Sequence, residues 1–258
     1  MKNTATFLGT GSSLGVPVIG CSCSICQSQN PKNKRFRSSL LLNYQGKNIV
    51  IDAGPDFRIQ ALHTKIEHLD GVIFTHSHQD HSGGIDDLRV YSFRNKAPLP
   101  CLVSRETAKD LELRYFFMFK TQVNEPTKTQ RLHLEVLEGK KGNRKFLGIP
   151  IRYFSYEQIG MQVLGIRIGS FAYVTDIKYY GDEIIRELQG VQTLVISALR
   201  FTESHMHLTI DEAITFIQRC KAEQGFLTHL SHEVDYEKVN VYLPTSIKLA
   251  YDGLKISI

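Results

Sequence analysis

Apolar residues along this chain come mainly in short runs, rich in β-branched and aromatic residues and separated by glycine-bearing polar turns. Such runs read as strands. They predict strands over 4–8, 40–44, 47–52, 71–75, 98–103, 132–137, 145–154, 163–168, 171–175, 193–197, 226–228, 248–251 and 254–258. Turn pairs join several of these, Gln45-Gly46, Gly169-Ser170 and Asp252-Gly253 among them. Helical spacing marks 57–63, 85–93, 107–120, 179–188 and 210–220. Thr209, with Glu212 three residues on, forms a capping box for the last. Strands and helices mix throughout, with no repeat, low-complexity tract or linker. The pattern predicts an α/β chain folded as one domain over 1–258.

Composition narrows the partners. Hydrophobic residues make up 42%, enough for a sizeable core, and the net charge is +5 from 31 basic and 26 acidic residues. So mild an excess suits a small phosphorylated substrate without requiring one. Lys140, Lys141, Arg144 and Lys145 form only a short basic patch, unlike the concentrated stripe of a nucleic-acid binder. No apolar run approaches the ~18 residues that span a bilayer. The first residues carry no apolar signal segment. A cytoplasmic location is expected, without a membrane partner. Thiols stay reduced there, so the five cysteines point to metal or core roles.

Chemistry concentrates in Phe74-Thr-His-Ser-His-Gln-Asp-His-Ser-Gly-Gly84. His76, His78, Asp80 and His81 fall within six positions, directly after the 71–75 strand. Side chains two apart on extended backbone share a side, so His76 and His78 can reach one ion. Asp80 and His81 follow where the chain turns, with Gly83-Gly84 supplying the freedom, and can point at a second ion. Imidazole with carboxylate suits zinc, manganese or iron better than calcium or magnesium. Three thiols of Cys21-Ser-Cys-Ser-Ile-Cys26 can converge on one tetrahedral ion if a fourth ligand arrives; otherwise they are free thiols or a redox pair. Cys101 and Cys220 read as core. Gly9, Gly11 and Gly15 form either a tight turn or a close approach to a ligand phosphate. The basic run with Lys32, Lys34, Arg35 and Arg37 is either a solvated loop or a rim that attracts phosphate. The run Tyr115-Phe-Phe-Met-Phe119 cannot point all its side chains one way, so a partner subunit in a homodimer, or a lid, is expected to cover some of them.

His-x-His-x-Asp-His after a strand resembles the metallo-β-lactamase-fold hydrolases. The opening Phe7-Leu-Gly-Thr-Gly-Ser-Ser-Leu-Gly-Val-Pro17 and the close-set cysteines look like the branch containing the phosphoribosyl cyclic phosphate phosphodiesterase of bacterial phosphonate degradation. The resemblance covers 5–258 and is weakest around 95–150. It implies a four-layer αββα sandwich with metals at the sheet edges, where loops meet. It implies two catalytic divalent ions, zinc or manganese. One would lie on His76, His78 and a bridging Asp176, the other on Asp80, His81, His229 and Asp176. Capping the 179–188 helix is the other reading of Asp176. Asp52 would orient the histidine loop. His207 would act as general acid, with Asp80 beside it in the catalytic set. His232 would join Cys21, Cys23 and Cys26 around a structural zinc. The family supplies one further histidine, before a Gly-hydrophobic-Arg strand, but 151–160 contains none. Ser155 is expected in its place. The first centre should then be the weaker, partly empty or completed by Glu157.

The resemblance therefore implies hydrolysis of a small phosphodiester, cyclic ones included, by water activated on two ions. A nuclease of the same fold would need a long basic arm, which the sequence lacks. A non-catalytic metal-binding module is the third reading, motivated by Ser155.

Overall fold

Alternating side chains build four layers. The computed structural model of the chain describes residues 2–119 and 131–258. Among the described residues, the first sheet comprises β1 (Thr4–Gly9), β2 (Ser39–Tyr44), β3 (Lys47–Ile51), β4 (Gly71–Ile73), β5 (Leu99–Val103), β6 (Leu132–Val136) and β14 (Lys255–Ser257). The second comprises β7 (Lys141–Phe146), β8 (Ile149–Gln158), β9 (Met161–Ile168), β10 (Phe171–Val174), β11 (Thr193–Ser197), β12 (Gln224–Thr228) and β13 (Ile247–Leu249). Strand orders are β14-β1-β2-β3-β4-β5-β6 and β13-β12-β11-β10-β9-β8-β7. Each sheet is mixed: β3 to β6 run parallel in one and β10 to β13 in the other.

Successive side chains of a strand face opposite ways. Leu40, Leu42, Ile49 and Ile51 therefore enter the core between the sheets, where they join Ile151, Tyr153, Ile166 and Phe226. Leu41 and Val50 face outward into a second core. There α1 (Phe57–Thr64), α3 (Arg89–Asn95) and α4 (Arg105–Arg114) cover the first sheet through Phe57, Tyr91 and Leu111. Two short turns, α2 (Gln79–Ser82) and α5 (Phe116–Phe119), complete that half. α6 (Asp182–Leu188), α7 (Ile210–Cys220) and α8 (Tyr236–Tyr242) cover the second sheet through Leu188, Phe216, Ile217 and Val239. Each fully buried side chain of this size stabilises by about 1.5–3 kcal/mol. The αββα sandwich is thus present.

Three expectations differ from the structure. The single strand over 145–154 is a hairpin of β7 and β8. Its turn, Leu147-Gly148, has φ of 52° and 88°, positive at both positions as a type I′ turn requires. Leucine gives no turn signal, so the break was invisible. The helix over 107–120 is α4, which ends at Arg114 with Tyr115 as its cap, after which α5 begins, and Lys120 lies outside the described residues. Of the aromatic run, Met118 is buried while Phe116 and Phe117 are about half exposed. The pattern also missed α8, which Asp235 caps by accepting from the Lys238 N–H. No helix among the described residues is long and apolar enough to cross a membrane.

The sheets place the site at one edge. Chain leaving the C-terminal ends of β3, β4, β10 and β12 carries Asp52, the histidine loop, Asp176 and His229. Asp52, Asp176 and His229 have φ of 63°, 54° and 61°. Non-glycine residues rarely adopt such angles, and where they do the surroundings hold them there. The 52–54 and 80–84 segments interlock: Ala53 N donates to His81 O at 2.8 Å, and Gly84 N to Ala53 O at 2.9 Å. A Cβ on Gly54 would stand 2.0 Å from Asp80 O. Gly54→Ala is therefore expected to cost about 1–3 kcal/mol by overpacking. Thermal melting checks this, and an unchanged midpoint would show that the loop accommodates the methyl freely.

Candidate metal centre

Asp80, His81, Asp176 and His229 present donor atoms that all lie within 4.8 Å of one another. His81 Nε2 is 3.4 Å from Asp80 Oδ2 and 3.3 Å from Asp176 Oδ1. His229 Nε2 is 3.4 Å from Asp80 Oδ2 and 3.5 Å from Asp176 Oδ1. These gaps are long for charge-assisted hydrogen bonds. They match the edge of a tetrahedron of ligands about 2.0–2.2 Å from one ion, which is about 3.4 Å. His81 is aimed from behind. Asp52 accepts from Thr75 N, from Thr75 Oγ1 and from His81 Nδ1 at 2.8, 2.7 and 2.7 Å. With Nδ1 engaged, only Nε2 faces the cluster, and it is buried without a hydrogen-bond partner.

Electrostatics suits a cation at this cluster. Burial works to raise Asp80 and Asp176, but His81 and His229 outweigh it and hold both carboxyls below the usual range. Burial works to lower His81 and His229, and the same carboxylates overturn it and raise both. Without an ion, imidazolium charge neutralises the carboxylates. A divalent ion supplies that charge and leaves the imidazoles as neutral ligands.

His76, His78 and Asp176 form a second such group. His76 Nε2 is 2.9 Å from His78 Nδ1 and 3.8 Å from Asp176 Oδ2, so its edges are less regular. Burial and the neighbouring His81 push His76 well below its ordinary value, to the neutral form that a ligand needs. His207 lies against the cluster, its ring centroid 4.6 Å from that of His229 and its Nδ1 4.0 Å from Asp176 Oδ2. The loop before α7 carries it there. His205 is exposed, as are His63 and His68.

Ser155 does not stand at the metals, contrary to expectation. Its Oγ accepts from Gln162 Nε2 at 2.8 Å, and it lines an outer cavity of about 620 Å³ with Glu157, Tyr179 and Tyr180. Glu157 is exposed there and completes neither metal group. The β8–β9 ladder is unbroken to Gln158↔Met161, and Ile159-Gly160 makes the turn. The side chain that reaches Asp176 from this hairpin is Gln158, which the sequence reading missed. Its only sequence signal was its place just before the turn.

Cys21, Cys23, Cys26 and His232 form the third group. The sulfurs lie 3.3, 3.5 and 3.6 Å from His232 Nδ1. Sulfur at about 2.3 Å and nitrogen at about 2.0–2.1 Å from a tetrahedral zinc are separated by about 3.6 Å. The Cys26 backbone N–H, first among several neighbours, draws the Cys23 thiol down to about 6, favouring the thiolate that binds metal. Cys101 and Cys220 are buried in the cores. Most of the basic run is engaged within the fold. Arg35 is buried and donates to the Ser231 and Val234 carbonyls, Lys34 to that of Cys26, and Arg37 pairs with Asp56 at 2.8 Å. The glycine loop packs backbone on backbone: a Cβ on Gly9 would lie 2.1 Å from Arg37 O. Cys23→Ser is expected to remove one zinc per chain and lower the melting temperature, measured by elemental analysis and calorimetry. Unchanged zinc content would exclude this cluster as a metal site.

Residues 47–230 match the family described as Beta-lactamase superfamily domain. A crystallographically solved diphosphatase from the PhnP family is 32% identical, with a TM-score of 0.91 over 100% of this chain and 98% of that one. Human tRNase Z, short form, is 18% identical with a TM-score of 0.71 over 99% of each chain, a likeness of fold. An octanoyltransferase of Porphyromonas gingivalis is 35% identical over 252 residues, which are 96% of this chain and 50% of that protein. The chain thus spans about half the length of that curated relative. On the family match, which takes in the histidine loop, Asp176 and His229, the chain belongs to the β-lactamase superfamily and has its fold.

Proposed function

We propose that this chain hydrolyses a small phosphodiester, cyclic ones included, using two divalent ions, zinc or manganese, with a structural zinc on the cysteine cluster. One observation carries the reading: the two oxygens of Asp176 divide between two donor groups. Oδ1 faces His81 and His229, while Oδ2 faces His76. A carboxylate so shared could serve both ions of a two-metal site. Ions held there would lower the pKa of water from 15.7 to about 7 and would polarise a phosphoryl oxygen.

The remaining steps belong to the chain. His76, His78, Asp80, His81, Asp176 and His229 fix the two positive centres side by side. Asp52 locks the ring of His81 through Nδ1, so the geometry does not relax as charge develops. His207 serves the leaving group. Burial and the nearby His229 draw it down to about 4, so it is neutral before substrate arrives. The negative charge of a phosphoryl group beside it counters the effect of His229 and favours the protonated, acidic form. The PhnP-family diphosphatase, similar over the whole chain, supports chemistry at phosphorus. Three basic side chains that could have drawn nucleic acid, Lys34, Arg35 and Arg37, are engaged within the fold, which favours a small substrate.

The test is turnover of bis(p-nitrophenyl) phosphate and of a nucleoside 2′,3′-cyclic phosphate by manganese- or zinc-loaded protein. Asp80→Ala is expected to abolish it. No turnover of either, or of a pyrophosphate diester, by protein shown to be metal-loaded would reject the reading. His207→Ala is expected to lose about 10²–10⁴-fold on alkoxide leaving groups. It should lose much less on p-nitrophenolate, which departs without a proton. Equal losses on both would remove His207 as the acid.

A further inference from the structure

Gln158 ends β8 and is 2% exposed. It shares a strand face with Tyr156, whose hydroxyl donates to the Thr175 carbonyl next to Asp176. Its Nε2 donates to Met206 O at 3.0 Å, and stands 3.4 Å from His207 Nδ1 and 3.5 Å from Asp176 Oδ2. A backbone carbonyl can only accept, so the contact with Met206 O fixes which end of the amide is nitrogen. The other end, Oε1, is buried and meets no donor. Buried polar atoms are nearly always satisfied, so an orphaned carbonyl beside a cluster of ligands asks for a partner.

Gln158 meets Asp176 on its Oδ2 side, the side of the first group. That group offers three donors, while the second offers four. Its edges, 2.9 and 3.8 Å, also depart from the even 3.3–3.5 Å of the second. The centre short of a donor is thus the one beside a glutamine, touching Asp176 through Nε2, whose carbonyl is short of a partner.

We propose that Gln158 Oε1 is the fourth protein ligand of the first metal centre. The donor set becomes two imidazole nitrogens, a carboxylate oxygen and an amide oxygen. Oxygen donors suit manganese, whereas nitrogen and sulfur donors favour zinc. Both centres then offer two nitrogens and two oxygens and differ in charge: the second has two carboxylates, the first one carboxylate and a neutral amide, so the first exchanges its zinc or manganese more readily. This rests on the two-metal reading above, and the experiment separates the two.

Metal-free protein is loaded with zinc or manganese, passed through a desalting column, and its ions counted per chain. Cobalt titration, followed by visible absorption, reports the coordination of each centre in turn. Wild-type protein should keep zinc at the cysteine cluster and at the second centre and lose it from the first. Gln158→His should retain about one further zinc per chain, as a nitrogen donor replaces oxygen. Gln158→Ala should lose manganese from the first centre, with at least a tenfold weaker affinity. Its second centre should stay filled, which also shows that the pocket is still formed. If Gln158→Ala binds both metals as wild type does, Gln158 only positions His207 and the proposal is overturned. If wild-type protein binds no ion outside the cysteine cluster, the two-metal reading has failed, and that outcome is visible without any Gln158 variant.

Discussion

Asp80 and Asp176 are held close together and largely out of water, each about 3.4 Å from the same two imidazole nitrogens. Two such carboxylates repel each other and are costly to desolvate unless positive charge is placed between them. The pocket is built around that need. His81 and His229 can supply the charge as imidazolium, or an ion can supply it and leave them neutral. Either way the cluster stays assembled only because packing elsewhere holds it.

That holding comes from the sheets. Strands covered on both faces bring the C-terminal ends of β4 and of β10 and β12 to one edge, where backbone leaves the ladder and side chains turn inward. Three residues at these exits take positive φ, an unfavourable conformation that the interlocked loops sustain. Gly54, packed on the Asp80 carbonyl, is one reason the histidine loop cannot drift. The cysteine cluster works from a second direction. It clips the N-terminal loop to His232, three residues after His229, and Arg35 reinforces the join by donating to Ser231 O and Val234 O. A change in the cysteine cluster should therefore be felt at His229 through a very short length of chain.

The two donor groups are not equivalent. One has two carboxylates and two imidazoles at regular spacing. The other has a pair of imidazoles and the far oxygen of Asp176, with Gln158 beside it. Donor chemistry of this sort sets which metal a site keeps more than its raw affinity does.

Much of this was legible without coordinates. The histidine loop announced itself because its donors are neighbours in sequence, and period-two alternation located most strands. The capping box of Thr209 and Glu212 marked the start of α7. What escaped depended on pairing between distant segments. Leu147-Gly148 is a turn because β7 and β8 pair, not because leucine favours turns. Arg35 looked like a solvent-facing charge because the carbonyls that bury it lie 196 and 199 residues away. Ser155 was placed at the metals and Gln158 overlooked because a strand's facing follows from its ladder, and β8 runs in register with β9 through Gln158. The sequence by itself determined the kinds of donor and their local spacing, since these are properties of adjacent residues. Only the tertiary structure decided which donors come together: Asp80 and His229 stand 149 residues apart, Cys21 and His232 211, and nothing but the packed sheets makes them neighbours.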